Sequence, residues 1–326
     1  MLTHMDRQEL LKEVRETLAN AGFYVSELCS MRPIGFDLVA RRDNSLLIIK
    51  VLTNINALSE NVADELRTLS ILLKGCPLLI GEKKGKGNLE EDVVYDRFRI
   101  QAISLNTLKN HLLEGIPLEV YAAPGGLYVN LDNEKIKKFR QQQKLSLGSF
   151  ARSLRVSRRT IQMYEEGMNA SVEIAFRIED LIGSNATVPI DILKNPTVKK
   201  RIIKKPIRFE PKGFRDFQND IFSTLKKMGY RVIPMERAPF EAVSQDKKKV
   251  LLTCVDRYDK KILKKAQVVS SISKITEKQA VLIIDKEIRK KNIEGTPIVL
   301  RNELKKTRGP EELLELILER LYENDK

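Results

Sequence analysis

One pattern occurs twice in this chain, and it limits the possible architectures more than any single residue does. The segment LLKEVRETLANAGFYV at residues 10–25 reads as an amphipathic helix leading into a strand. Its counterpart is FQNDIFSTLKKMGYRV at 217–232, with Gly22 and Gly229 in the same place, where a helix C-cap belongs. Next, GFDLVARRDNSLLIIKVL at 35–52 parallels PFEAVSQDKKKVLLTCVD at 239–256, each reading as two strands around a polar turn. The offset of 204 residues that pairs Phe36 with Phe240 also pairs Leu78 with Leu282, in the apolar runs 77–80 and 281–284. Insert-free spacing over that length points to duplication of one α/β unit, a small sheet covered by helices.

The region between the copies has another character. VYAAPGGLYV closes the first copy with a hairpin signal around Pro124, Gly125 and Gly126. From residue 132 the periodicity becomes that of short helices. The expected organisation is therefore α+β and α/β multidomain: an α/β domain at 1–131, an all-α domain at 132–193, a linker at 194–211 and a second α/β domain at 212–326.

Within the helical region, Asp132 or Asn133 can cap a helix bearing Ile136 and Phe139 and ending before Lys144. Ser146 caps a short helix that buries Phe150, Ala151 and Leu154. After the turn Arg155, Val156 and Ser157 comes a third helix, capped by Ser157 and closed at Gly167, with Val156, Ile161 and Tyr164 facing the core. Arg158, Arg159, Gln162 and Met163 remain outward, with Thr160 partly turned. Arginine can pair with guanine and glutamine with adenine through two hydrogen bonds each, so this face suits a DNA major groove.

The stretch LSLGSFARSLRVSRRTIQMYEEG at 145–167, continuing into VEIAFRIEDLIG at 172–183, resembles the helix-turn-helix domain of the phage Cro and lambda repressor type. The resemblance implies that Arg158, Arg159 and Gln162 contact bases, and that Ser146, Arg152 and Ser157 lie near phosphates. Arg155 departs from the family, which often has glycine at that turn to permit a left-handed backbone. In overall architecture the chain resembles the helix-turn-helix regulators of archaea.

The flanks resemble restriction-endonuclease-like domains, with Asp37 before the first hairpin strand and Lys50 near the end of the second. Such nucleases need a further carboxylate two residues before the lysine to hold Mg²⁺. Ile48 stands there. In the second copy Glu241 replaces Asp37, while Leu252 and Cys254 replace the carboxylate and the lysine. The expectation is a nuclease-like sheet without its chemistry, with Lys50 as a strand-end surface residue. Dimerisation, DNA-backbone contact and sensing of an effector ligand are then the roles open to the flanks.

The chain carries a formal net charge of +14, distributed as −2 over residues 1–131, +2 over 132–193, +6 over 194–210 and +8 over 211–326. Lys199, Lys200, Arg201, Lys204 and Lys205 sit among Pro196, Pro206 and Pro211, which favours an extended linker able to lie along phosphates. No apolar run approaches a membrane span or a signal peptide, and Cys29, Cys76 and Cys254 lack metal-ligand spacing, so the expected setting is the cytoplasm with reduced thiols. No Walker loop, dinucleotide-binding glycine pattern or nucleophile with a paired histidine is present, so no catalytic residue, metal or cofactor is expected. The expected partner is double-stranded DNA, bound by a homodimer, because one short recognition helix reads too few bases. The competing functions are a nuclease or repair factor that docks through the helix-turn-helix, and an architectural protein with little sequence preference.

Overall fold

A computed structural model describes residues 5–29, 34–194, 216–247, 249–258, 261–286 and 288–322. The basic run Lys199, Lys200, Arg201, Lys204 and Lys205 lies outside the described residues.

Both copies open with the same element order, a helix, three strands, a helix and a strand, and differ after it. The first runs α1 (Arg7–Asn20), β1 (Tyr24–Val25), β2 (Leu38–Arg42), β3 (Ser45–Val51), α2 (Glu60–Leu73) and β4 (Cys76–Ile80). It continues through β5 (Lys83–Lys84), β6 (Gly87–Asn88), β7 (Val93–Arg97), β8 (Ile100–Ile103), α3 (Leu105–Leu113), β9 (Val120–Ala123) and β10 (Gly126–Val129). The central unit comprises α4 (Asn133–Gln142), α5 (Leu147–Leu154), α6 (Arg158–Glu165), β11 (Ala170–Ser171) and α7 (Val172–Ile182). The second copy comprises α8 (Asp216–Lys227), β12 (Arg231–Pro234), β13 (Ala242–Gln245), β14 (Val250–Asp256), α9 (Ile262–Thr276), β15 (Gln279–Ile284), β16 (Asn292–Ile293), β17 (Thr296–Leu300), α10 (Arg301–Lys306) and α11 (Pro310–Tyr322). Gly22 and Gly229 both hold positive φ, 80° and 102°, which only glycine adopts without cost.

The chain groups into two compact units that interleave along the sequence: residues 1–17, 52–57 and 79–192 in one, and 18–51, 58–78 and 193–326 in the other.

In the first unit, β8 pairs antiparallel with β7, β7 parallel with β9, and β9 antiparallel with β10 across the Pro124–Gly125 turn. β11, inside the helical region, adds to the far edge of β10 through Tyr128↔Ser171 and Val129↔Ala170. The central unit is thus stitched to the preceding hairpin, and its core continues into Val129 and Leu131.

In the second unit, β2 and β3 form a hairpin in register from Leu38↔Ile49 to Arg42↔Ser45, its two-residue turn allowed by a left-handed Asp43. The second copy builds a six-stranded sheet ordered β12-β13-β14-β15-β17-β16, with β14, β15 and β17 parallel. Its core draws Ile221, Phe222 and Leu225 from α8, Val281 and Ile283 from β15, and Leu313 and Ile317 from α11. The copies also touch one another inside this unit. The Glu27 amide donates to Ser271 Oγ at 2.9 Å, and Arg41 pairs with Glu277 at 2.8 Å. The Gly35 amide donates to the Arg237 carbonyl at 2.6 Å, an approach at which a Cβ on residue 35 would meet that oxygen at 3.0 Å. Arg237 in turn grips the buried Glu65 through its backbone N–H at 2.7 Å and its guanidinium at 3.2 Å. Burial raises the Glu65 carboxyl pKa, and the Arg237 hydrogen bonds pull against that shift.

Cys29, Cys76 and Cys254 are free and buried. Among the described residues no helix is long and apolar enough to cross a membrane.

Candidate nucleic-acid interface

The central unit is fixed by caps at every turn. Asp132 Oδ1 accepts from the Lys135 amide, Ser146 Oγ from Ser149 and Ser157 Oγ from Thr160, each at 3.0 Å. Each cap satisfies one of the unpaired amides that open a helix. Between α5 and α6, Arg155 adopts the left-handed conformation at φ 56° and ψ 41°. The turn keeps the glycine-type geometry without glycine, held by the Arg155 amide to Arg152 O at 3.2 Å and the Val156 amide to Ala151 O at 3.0 Å.

Phe150, Ile136 and Ile161 are fully buried, with Ala151, Leu154 and Tyr164 beside them. Burying a side chain of the size of Phe150 contributes about 1.5–3 kcal/mol. Ala151, 3% exposed, belongs to the same core as these side chains. Burial also raises the Tyr164 phenol pKa.

With Ile161 and Tyr164 inward, the outward face of α6 is set by helical geometry. Arg158, Arg159, Gln162 and Met163 are exposed there, and Thr160 is half-buried. Ser146, Arg152 and Ser157 are exposed around the turn. Of the eight residues singled out in this region, seven are exposed and Thr160 is half-buried, with Ser157 Oγ 2.8 Å from Thr160 Oγ1.

Two features of this face escaped the sequence. Gln162 Nε2 donates to Glu166 Oε1 at 2.9 Å, so the glutamine amide is already oriented by a carboxylate one turn on. At the rear of α6, Glu165 accepts two hydrogen bonds from Arg140 of α4, from Nε at 2.5 Å and Nη2 at 2.9 Å, while Nη1 donates to Leu145 O at 3.1 Å. The Glu165 bonds hold the Arg140 guanidinium pKa above its ordinary value. An Arg–Glu pair at this separation in sequence leaves no local spacing signal, yet it locks the outward helix to the rest of the unit.

The nuclease-like positions also become explicit. Asp37 is 2% exposed, accepts the Val51 amide at 2.7 Å and lies 3.5 Å from Lys50 Nζ, which donates to Ile34 O at 3.1 Å. Lys50 is thus not a surface lysine: it is 7% exposed, because β3 is covered on both faces and the nearby carboxylate compensates the buried charge. The second copy keeps the geometry with other residues. Glu241 accepts the Val255 amide at 2.8 Å, and its cation is Lys265 from α9, at 2.6 Å, which also reaches Asp256 at 2.8 Å. These residues do not fit a Mg²⁺ site of the nuclease kind: Asp37 already has a lysine and an amide as partners, and Ile48 and Leu252 are fully buried aliphatic side chains where a second carboxylate would be needed. Among the described residues no cluster of three or more His, Cys, Asp or Glu could hold a metal ion.

Short capped helices around a small core, with an arginine- and glutamine-bearing helix outward, define the helix-turn-helix class, and residues 136–187 match the helix-turn-helix family model. Residues 7–118 match the PD-(D/E)XK superfamily domain. Curated relatives cover nearly the whole chain. A protein of Methanosarcina mazei is 41% identical over 321 residues, 97% of this chain and 98% of its own length. One of Methanosarcina barkeri is 40% identical over 325 residues, 98% and 99% of the two chains, and one of Halobacterium salinarum 36% identical over 321 residues, 97% and 98%. Each carries the name "Putative HTH-type transcriptional regulatory protein". The chain belongs to this family of archaeal HTH-type regulatory proteins. No solved structure matches it.

Proposed function

We propose that the chain is a sequence-specific DNA-binding transcriptional regulator that places α6 in the major groove of duplex DNA. The observation that carries this reading is the two-sidedness of α6: Ile161 and Tyr164 are buried while Arg158, Arg159, Gln162 and Met163 are exposed. Arg158, Arg159 and Gln162 read base edges; Ser146, Arg152, Ser157 and Thr160 contact phosphates; Met163 packs against the groove wall. Lys199, Lys200, Arg201, Lys204 and Lys205 add phosphate contacts along the linker. The protein acts in the cytoplasm as a homodimer on paired half-sites. The organisation into domains at 1–131, 132–193 and 212–326 with a linker at 194–211 belongs to the same reading, as does the absence of catalysis by the flanks.

Arg159→Ala relaxes base preference at one position of the site by about 1–3 kcal/mol. An equal loss of affinity on every sequence removes Arg159 from base reading. Neutralising Lys199, Lys200 and Arg201 weakens binding to all sequences and flattens its salt dependence.

The PD-(D/E)XK match over residues 7–118 favours a second reading, a nuclease or repair factor that docks through the helix-turn-helix. Plasmid cleavage in Mg²⁺ by the purified protein, abolished by Asp37→Ala, establishes that reading in place of the first.

A further inference from the structure

The unit that carries α4–α7 also holds two basic turns that the reading of α6 leaves unused. β5 and β6 form a hairpin in register Lys83↔Asn88 and Lys84↔Gly87, with Gly85 and Lys86 at its tip. The hairpin is anchored from outside. Asn54 Nδ2 donates to Gly85 O at 2.9 Å, the Gly85 amide donates back to Asn54 Oδ1 at 3.2 Å, and the Lys83 amide donates to Thr53 O at 2.9 Å. Lys84 Nζ sits 5.3 Å above the ring of Tyr95, and both Lys84 and Lys86 are exposed.

The second turn joins β7 to β8. Arg97 pairs with Ile100 across a two-residue loop of Phe98 and Arg99, both left-handed at φ 51° and 61°. Such loops favour Asn-Gly, and a bulky aromatic followed by an arginine holds this backbone only against its own preference. Strain of that kind is retained where the side chains themselves are needed. The Arg97 guanidinium stacks 4.2 Å from the Phe98 ring centroid and donates to Asn56 O at 3.4 Å. Asn56 Nδ2 lies 3.7 Å from where a Cβ on Gly85 would stand. The segment 54–56 therefore touches both turns, which between them carry Lys83, Lys84, Lys86, Arg97 and Arg99.

The same stretch carries Glu82, Glu90, Glu91, Asp92 and Asp96; Glu91 and Asp92 accept from Asn106 at 2.7 Å and Asn110 at 3.0 Å, and Asp96 accepts the Arg99 backbone amide at 3.1 Å. Neither Lys86 nor Arg99 has an ion-pair partner among the described residues. Residues 82–99 hold five basic and five acidic residues, so the cationic character belongs to the two turn tips and not to the stretch as a whole. The loop after β15 in the second copy is also basic, with Lys286, Arg289, Lys290 and Lys291 exposed, but of the hairpin cations only Lys86 has a basic residue, Lys290, 204 positions on.

We propose that the Lys83–Lys86 hairpin and the Arg97–Arg99 turn grip the phosphate backbone of duplex DNA outside the base pairs read by α6. Fixed cations around a stacked Arg–aromatic pair suit a regular row of phosphates, and the patch carries no sequence information of its own. The proposal rests on the reading of α6 as a DNA-binding helix, and the two are separable. The full chain is titrated at several salt concentrations onto a duplex holding only its preferred site, about 15 base pairs, and onto one extended to about 40 base pairs, enough flank for a second set of phosphates. The native chain binds the longer duplex more tightly, with a steeper salt dependence. The variant Lys84→Gln/Lys86→Gln/Arg99→Gln loses that gain, its slope on the longer duplex falling by about 2–3 at about 0.9 per phosphate contact, with base preference unchanged. Lys86→Gln alone, at an exposed hairpin tip, lowers the slope by about 0.9 and serves if the triple variant folds poorly. Native base preference with an unaltered slope overturns the patch and leaves α6 standing. A reduced slope without any base preference overturns α6 and leaves the patch, and failure to bind any duplex overturns both.

Discussion

The Arg140–Glu165 pair is where the structure commits most firmly to a number. The two side chains are 15% and 9% exposed and share two hydrogen bonds at 2.5 and 2.9 Å, so both charges are largely out of water. Glu165→Gln keeps the shape but leaves the guanidinium facing a neutral amide and the Leu145 carbonyl. Breaking a buried pair by removing one charge costs about 3–5 kcal/mol, and residual exposure brings this site nearer 2.5 kcal/mol. Arg140→Gln costs a similar amount from the other side. The double variant removes both charges together and costs little more than either alone, giving a coupling of about 2 kcal/mol. The chain has no tryptophan and several cores, so global unfolding is a poor probe of one helix. Native-state hydrogen exchange on peptides spanning α6 measures the local opening directly. At about 1.4 kcal/mol per tenfold, each single variant exchanges about 60-fold faster in α6. Acceleration below about threefold, or single effects that simply add in the double variant, refutes the lock.

Two further outcomes follow from local geometry. Arg155→Gly relieves a left-handed arginine worth about 1–2 kcal/mol, offset by the greater freedom of glycine in the unfolded chain, so exchange in α5 and α6 slows by a net effect of about 0.5–1 kcal/mol; faster exchange contradicts it. In the second copy, Glu303 accepts hydrogen bonds from Arg320 at 2.5 and 2.9 Å and from the Leu300 amide at 2.8 Å, and the Arg320 bonds set its pKa below 4.5. A lowered carboxylate pKa stabilises the fold above the unfolded value and loses that contribution as pH falls through the folded one. Glu303→Gln therefore loses about 2 kcal/mol at neutral pH, by exchange in α10, with the gap to the native chain closing below pH 4.5; a gap constant with pH contradicts it.

The repeat and the helix-turn-helix were legible because each rests on local signals: glycines after α1 and α8, serines before α5 and α6, and apolar spacing in between. The left-handed turn at Arg155 was legible only as a departure, since a non-glycine residue in that conformation is held by the cap bonds around it. Burial of Lys50 was not legible, although Asp37 was already singled out with it, because a lysine at a strand end reads as exposed and spacing does not show which charge it meets. The same reason hid Lys265, which takes over that role from a helix once Cys254 occupies the strand position. β11 is two residues long and has no periodicity to find; pairing with β10 creates it. The β5–β6 hairpin is a short lysine- and glycine-bearing stretch without periodicity, and bonds to Asn54 and Thr53 order it.

The central claim is that α6 reads base edges. Selection of bound fragments from a randomised duplex pool tests it most directly, using the native chain and the variant Arg158→Ala/Arg159→Ala/Gln162→Ala side by side at physiological salt. The native chain should enrich one motif, bound at least about 10³-fold more tightly than random duplex, and the variant should lose it while keeping weak general binding. Recovery of the same motif by both proteins, or of no motif by the native chain, contradicts the claim.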